Sequence, residues 1–181
     1  MTIAQASDIL SFWRAAGPDK WFAKDDAFDH AIREKFLATY EAAAAGKLSA
    51  WETQPESALA LVIVLDQFPR NMFRGDGRTF AADPVALAIA ERAIAKGFDQ
   101  KFAVAERAFF YLPFEHSEQL ADQERCCALF HATGDAELLK WAQLHADIIR
   151  RFGRFPHRNA LLGRSTTAEE QAFLDGGGFK G

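Results

Sequence analysis

The stretch from Arg150 to Arg164 reads RRFGRFPHRNALLGR, five arginines and a histidine without one acid, in a chain whose formal net charge is -4. Clustered guanidiniums repel one another, so the segment needs carboxylates from elsewhere in the fold or an anion from outside; the planar fork of arginine suits both. Arg154, His157, Arg158 and Asn159 follow a helix end, and Pro156 stiffens the turn that carries them. Two further segments are as densely polar: LDQFPRNMFR at 65–74 and YLPFEHSEQLADQ at 111–123. In the first, Asp66 and Arg70 stand four apart in the favourable acid-before-base order, followed by Asn71. In the second, His116 and Glu118 flank Ser117, and an imidazole near a carboxylate is placed to act as a general base.

Two readings follow. In one, Arg70, Asn71, His116, Glu118, His157, Arg158 and Asn159 surround a polar pocket for a small anionic ligand. The arginines would hold the anion, and His116 or His157 would exchange protons if the ligand is turned over. In the other, the arginines pair with Glu115, Glu118 and Asp122, Asp66 with Arg70 pins its turn, and the protein is a helical scaffold whose groove binds a protein or peptide. RNA binding through Arg150–Arg164 is a weaker third reading, and the acidic remainder of the chain argues against it.

Motifs that would name a reaction are missing. His116 and Glu118 form an HxE pair like that of zinc nucleoside deaminases, but the matching PCxxC is absent. There is no HExxH, no GxGxxG, no GxxxxGK[ST] and no GxSxG. No metal or cofactor is expected on this basis.

Length and composition suit one compact domain over residues 1–181: 181 residues, 49% hydrophobic and 25% charged. The two cysteines, Cys126 and Cys127, are neighbours in a helical pattern and form no disulfide framework, which fits a reducing, cytoplasmic setting. MTIAQASDILSFWRAAG lacks a basic start and a long apolar stretch, so no signal peptide is expected. The longest apolar run, Ala58 to Leu65, is too short to cross a membrane.

The pattern that must position the polar segments is helical throughout. Asp25 or Asp26 opens a helix with Phe28, Ile32, Phe36 and Tyr40 on one stripe. Pro55 begins a run that is apolar on every side, and Pro69 should kink or end it at Phe68, presenting Arg70 and Asn71 at its exit. Asp83-Pro84 starts a helix that Gly97 ends, and Asp99 starts another that Pro113 closes. Ser117 caps the next, with Leu120, Cys127 and Phe130 facing inward. Asp135 opens a helix with Leu138, Ala142, His145, Ile149 and Phe152 on one face, and Gly153 ends it. Thr167 and Glu170 make a capping box for a last short helix, and 176–181 form a flexible glycine-rich tail. The four tryptophans, Trp13, Trp21, Trp51 and Trp141, are expected in the core or in the packing between helices.

Several stretches together resemble a bacterial domain-of-unknown-function family, number 924: FW at 12–13, KWF at 20–22, FD at 28–29, GKLSAW at 46–51, LDQFPRNMFR, FFYLPFEHSE at 109–118 and FGRFPHRNALLGR at 152–164. The resemblance implies a tetratricopeptide-like all-α fold of antiparallel helical hairpins. It implies no activity, substrate or catalytic residue. The helical pattern and the lack of metal motifs predict a far-UV circular dichroism spectrum without substantial strand. They also predict a melting temperature that neither EDTA nor a thiol reductant moves; a marked shift with EDTA would overturn the metal expectation.

Overall fold

The computed structural model describes residues 2–179, and among these every regular element is helical. The protein is all-α. Its helices group into two compact units, Met1–Arg74 with Arg78–Pro113, and Gly75–Gly77 with Phe114–Gly181. Lys180 and Gly181, the end of the tail, lie outside the described residues.

In the first unit, α1 (Ala6–Ala16), the single turn α2 (Pro18–Trp21) and α3 (Asp26–Ala44) supply an aromatic core. Asp25 caps α3 by accepting from the Ala27 and Phe28 backbone N–H groups, both at 3.0 Å. Phe28, Ile32, Phe36 and Tyr40 are buried along one stripe, as their spacing requires. Trp13 stands at the centre, with the rings of Trp21, Phe28, Phe68 and Phe109 all within 6.0 Å of its own. Every residue from Ala58 to Leu65 is buried. That run forms α4 (Pro55–Val62), which packs between α1 and the later α6, and continues into a wider turn.

The wider turn, Ile63–Gln67, is π-helical, and α5 (Phe68–Met72) follows without a break in helical backbone. Pro69 therefore neither ends the helix nor presents Arg70 and Asn71 at an open exit. The Phe68 N–H bonds the Ile63 carbonyl, five residues back, so one extra residue is accommodated just before the proline. Pro69 then sits in a first turn, where its missing N–H costs nothing. α5 packs on α3.

α6 (Asp83–Ala95) begins with the expected Asp83-Pro84. Asp99 does not start a long helix: it lies buried in a short 3-10 turn, where its carboxylate accepts from the Tyr111 hydroxyl at 2.7 Å and the Gln100 amide at 2.6 Å. Tethered there, it cannot cap. α7 runs from Val104 to Glu115 with Pro113 inside it. Pro113 removes one backbone hydrogen bond, but Leu112 and Phe114 on either side are buried, and their packing holds the segment helical.

In the second unit, α8 (Leu120–Thr133) and α9 (Ala136–Phe152) are joined by only Gly134 and Asp135 and pack against each other as a helical hairpin. Ser117 is not the cap of α8. Its hydroxyl donates to Asp122 at 2.6 Å and accepts from the Gln119 N–H, which leaves Gln119 at the N-cap position of α8. The buried positions of α8 are Gln123, Cys126 and Phe130, whereas Leu120 is exposed and Cys127 half-buried. Gln123 takes the inward place because its amide donates to the carbonyls of Phe114, Glu115 and Ser117, closing the end of the preceding helix. α9 buries Ala142, His145 and Ile149 on the expected face and ends at Gly153 in the left-handed region. Trp141 precedes that face by one residue, a rotation of roughly 100°, and is 48% exposed, not core. α10 (Ala168–Asp175) carries the expected Thr167–Glu170 capping box.

Asp135 accepts from the Glu137 and Leu138 N–H groups at 3.0 and 3.1 Å. Replacing it with Ala should cost about 1 kcal/mol, read as a lower urea midpoint with an unchanged slope.

Candidate functional site

The arginine segment finds its carboxylates inside the second unit. Arg164 forks onto Glu118, with Nη1 2.6 Å from Oε2 and Nη2 3.0 Å from Oε1, and Glu118 also accepts the Phe155 N–H at 2.8 Å. Arg154 forks onto Glu170 at 2.6 and 2.8 Å and reaches the Ser165 carbonyl. Asn159, buried, joins the two pairs: its amide N–H₂ donates to Glu170 and Thr166, and its carbonyl accepts from Arg164 Nε at 3.0 Å. On the outer face Arg151 meets Glu169 and Arg150 meets Asp147. The Arg158 guanidinium is buried over the Phe155 ring at 4.4 Å.

These contacts set the protonation states. The Arg154 fork and the Thr167 N–H hold the Glu170 carboxyl down at about 2 against the desolvating effect of burial. Burial pushes Glu118 up, but Arg164 and the Phe155 N–H outweigh it and its pKa is lowered. His157 is pressed from about 6.5 down to about 3, first by burial and then by Arg158 and His145. Its Nδ1 is buried without a hydrogen-bond partner. His145 Nδ1 lies 2.8 Å from the Trp141 carbonyl and 3.3 Å from Glu115 Oε1. Both neighbours are acceptors, so Nδ1 carries the proton. The two imidazoles share the rings of Phe155 and Phe179, each within 5.6 Å.

Four of the residues singled out in the sequence, Glu118, His157, Arg158 and Asn159, are thus neighbours. His116 is half-buried in the turn that follows α7. Arg70 and Asn71 belong to the first unit. There Arg70 forks onto Asp83 at 3.0 and 3.1 Å, with Asp66 Oδ1 at 3.6 Å. Asn71 donates to Asp29 at 2.7 Å, and Arg74 forks onto the same carboxylate. The pairing of Glu118 with the arginine segment is met. Glu115 faces His145 and Asp122 faces Ser117, however, and the other acids are Asp147 on α9 and Glu169 and Glu170 at the capping end of α10. Glu170 carries a signal as a capping residue; that the same carboxylate also receives Arg154 has no local sequence signature. Among the described residues no group of three or more His, Cys, Asp or Glu is arranged to hold a metal ion.

An all-helical fold in two compact units, with an arginine segment neutralised by glutamates of its own unit, is the class the geometry defines. The chain belongs to a family described as bacterial proteins of unknown function, DUF924, whose profile matches residues 9–178. A solved structure of a protein of unknown function from Agrobacterium tumefaciens is similar to it, with 48% identity and a TM-score of 0.92, covering 94% of this chain and 97% of that one. No curated protein matches.

The shifts fix how stability responds to acid. An unfolded imidazole protonates near 6.5, whereas folded His157 resists until about 3. The unfolded state therefore takes up the proton first, and stability falls as pH drops below about 6.5. Glu170 has the depressed carboxyl's sign: its contribution is present above 4.5 and is lost as pH falls towards about 2. His157→Gln should flatten the stability profile between pH 6.5 and 4.5 and leave a shallower fall below 4.5, to which Glu170 still contributes, measured by urea unfolding across that range.

Proposed function

We propose that the protein is a cytoplasmic helical module, tetratricopeptide-like in its hairpins, that binds a protein or peptide partner, and that its Arg/His/Glu cluster serves architecture. The observation that carries this reading is the charge balance of the second unit. Glu118 and Glu170 each receive a forked guanidinium, and Asn159 spends both ends of its amide on the same pairs. Carboxylates already occupy the positions a ligand's carboxylate or phosphate would take. The same unit offers a different kind of surface. Trp141 and Leu144, three apart on α9, are 48% and 39% exposed. A separate open groove of about 350 Å³, lined by Cys127, Gln143, Ala146, Asp147 and Arg150, lies on the other flank of α9 from Trp141. An exposed tryptophan on a rigid helix has the character of a binding hot spot. Cys126, buried, and Cys127, half-buried, are neighbours on α8 that make no disulfide framework, which supports a reducing compartment, and no helix among the described residues is long and apolar enough to cross a membrane.

The small-anion reading of Arg70, Asn71, His116, Glu118, His157, Arg158 and Asn159 makes the opposite forecast. Under the architectural reading Arg164→Gln strands a half-buried carboxylate and should cost about 1–3 kcal/mol. Phosphate or citrate at millimolar concentration should then leave the wild-type melting temperature unmoved. A clear anion-dependent rise that Arg164→Gln or Arg158→Gln abolishes would install the ligand reading instead. Helical peptides selected from a random library on the wild-type protein should lose at least about tenfold in affinity for Trp141→Ala. Selected peptides indifferent to that change would remove the proposed surface.

A further inference from the structure

The end of the described chain is built to return onto the histidines. After α10 come Gly176, Gly177, Gly178 and Phe179, a run with one side chain. Gly177 has φ +81°, a backbone that other residues resist. Gly178 donates its N–H to the Phe173 carbonyl at 2.9 Å. A Cβ at 178 would meet the Phe173 carbonyl oxygen and ring carbon Cζ at 2.6 Å, so the path is open only to glycine. It delivers Phe179 against the buried cluster of Ile148, Ile149 and Phe155. There the ring stands edge-on to His145 at 4.5 Å and to His157 at 5.3 Å.

We propose that Gly176–Phe179 is a strap, that Phe179 is its clasp on the His145–His157 pair, and that its release opens the His157 imidazole to water and protons. This stands apart from the binding surface argued above, since it rests on the tail and the histidines alone. The charges facing His157 are Arg158 on its own turn, His145 from α9, Glu118 from the turn before α8, and Arg164 from the loop beyond. His145 in turn faces the Glu115 carboxylate. Burial heads the causes that keep His157 neutral, and Phe179 supplies part of that burial. With the clasp gone the two guanidiniums, His145 and Glu118 remain. The imidazole should then titrate higher than in the closed protein, yet still below an ordinary histidine.

Histidine-detected NMR titration of the full chain tests this, with exposed His30 and His131 as internal references. In the wild type, nuclear Overhauser contacts should join the Phe179 ring to both imidazoles, and His157 should stay neutral throughout pH 5–8. In Phe179→Ala, and separately in Gly178→Ala, the His157 midpoint should rise by at least about one unit while His30 and His131 keep theirs. Absence of the ring contacts in the wild type overturns the strap, whatever the variants do. So does a His157 titration that is the same in the wild type and in a folded Phe179→Ala protein.

Discussion

A guanidinium taken out of water must be met by an anion, a carbonyl or an aromatic face, and the second unit is organised around that requirement. Each arginine from 150 to 164 has such a contact at hand, and most of the partners are carboxylates. The requirement explains why Glu118 and Glu170, far apart in sequence, are both drawn to the turn after α9. It also explains why Asn159 is buried: only a side chain that accepts at one end and donates at the other can join a guanidinium of one pair to a carboxylate of the other. The loop from Arg154 to Thr167 has little regular structure, so this network takes the place of a helix in fixing its course.

The first unit meets the same requirement differently. Its centre is aromatic, with Trp13 among four other rings, and its charged groups sit around that centre in small sets: Arg70 with Asp83, Asn71 and Arg74 with Asp29. Removing one partner in either unit leaves the other charge poorly solvated, which is why such pairs constrain conformation more than they add net stability. The wide turn at Ile63–Gln67 is what lets a proline stand within this arrangement.

The helices were legible where a local rule decides them. Asp25 and Asp135 as caps, the stripe from Phe28 to Tyr40, the face of α9 and the Thr167–Glu170 box all follow from side chains within a turn or two. The failures share one cause. Ser117, Asp99 and Pro113 look like punctuation in sequence, but Ser117 is committed to Asp122, Asp99 to Tyr111, and Pro113 to a buried run. Trp141 looked like core because it is large, and its exposure depends on a helix phase that Ala142 and His145 set. In the candidate site, that arginines 154 and 164 need acids was readable from composition. Which acids they find was not, because Glu170 reads as a capping residue and the Arg164–Glu118 contact spans 46 positions.

The π turn also sets what the chain can lose. It is equivalent to one residue inserted into an otherwise continuous helix. A deletion within Ile63–Gln67 would let ordinary α-helical bonding resume, so the backbone by itself would tolerate the shortening. Because the wide turn absorbs its extra residue, Arg70 and Asn71 would keep the faces they present to Asp83 and Asp29. Pro69 would instead fall in a helix interior, where its ring meets the carbonyl four residues back. Shortening here thus leaves the polar contacts in register but removes the room for the proline ring, so length at this point is fixed by Pro69 and not by the pairs that follow it.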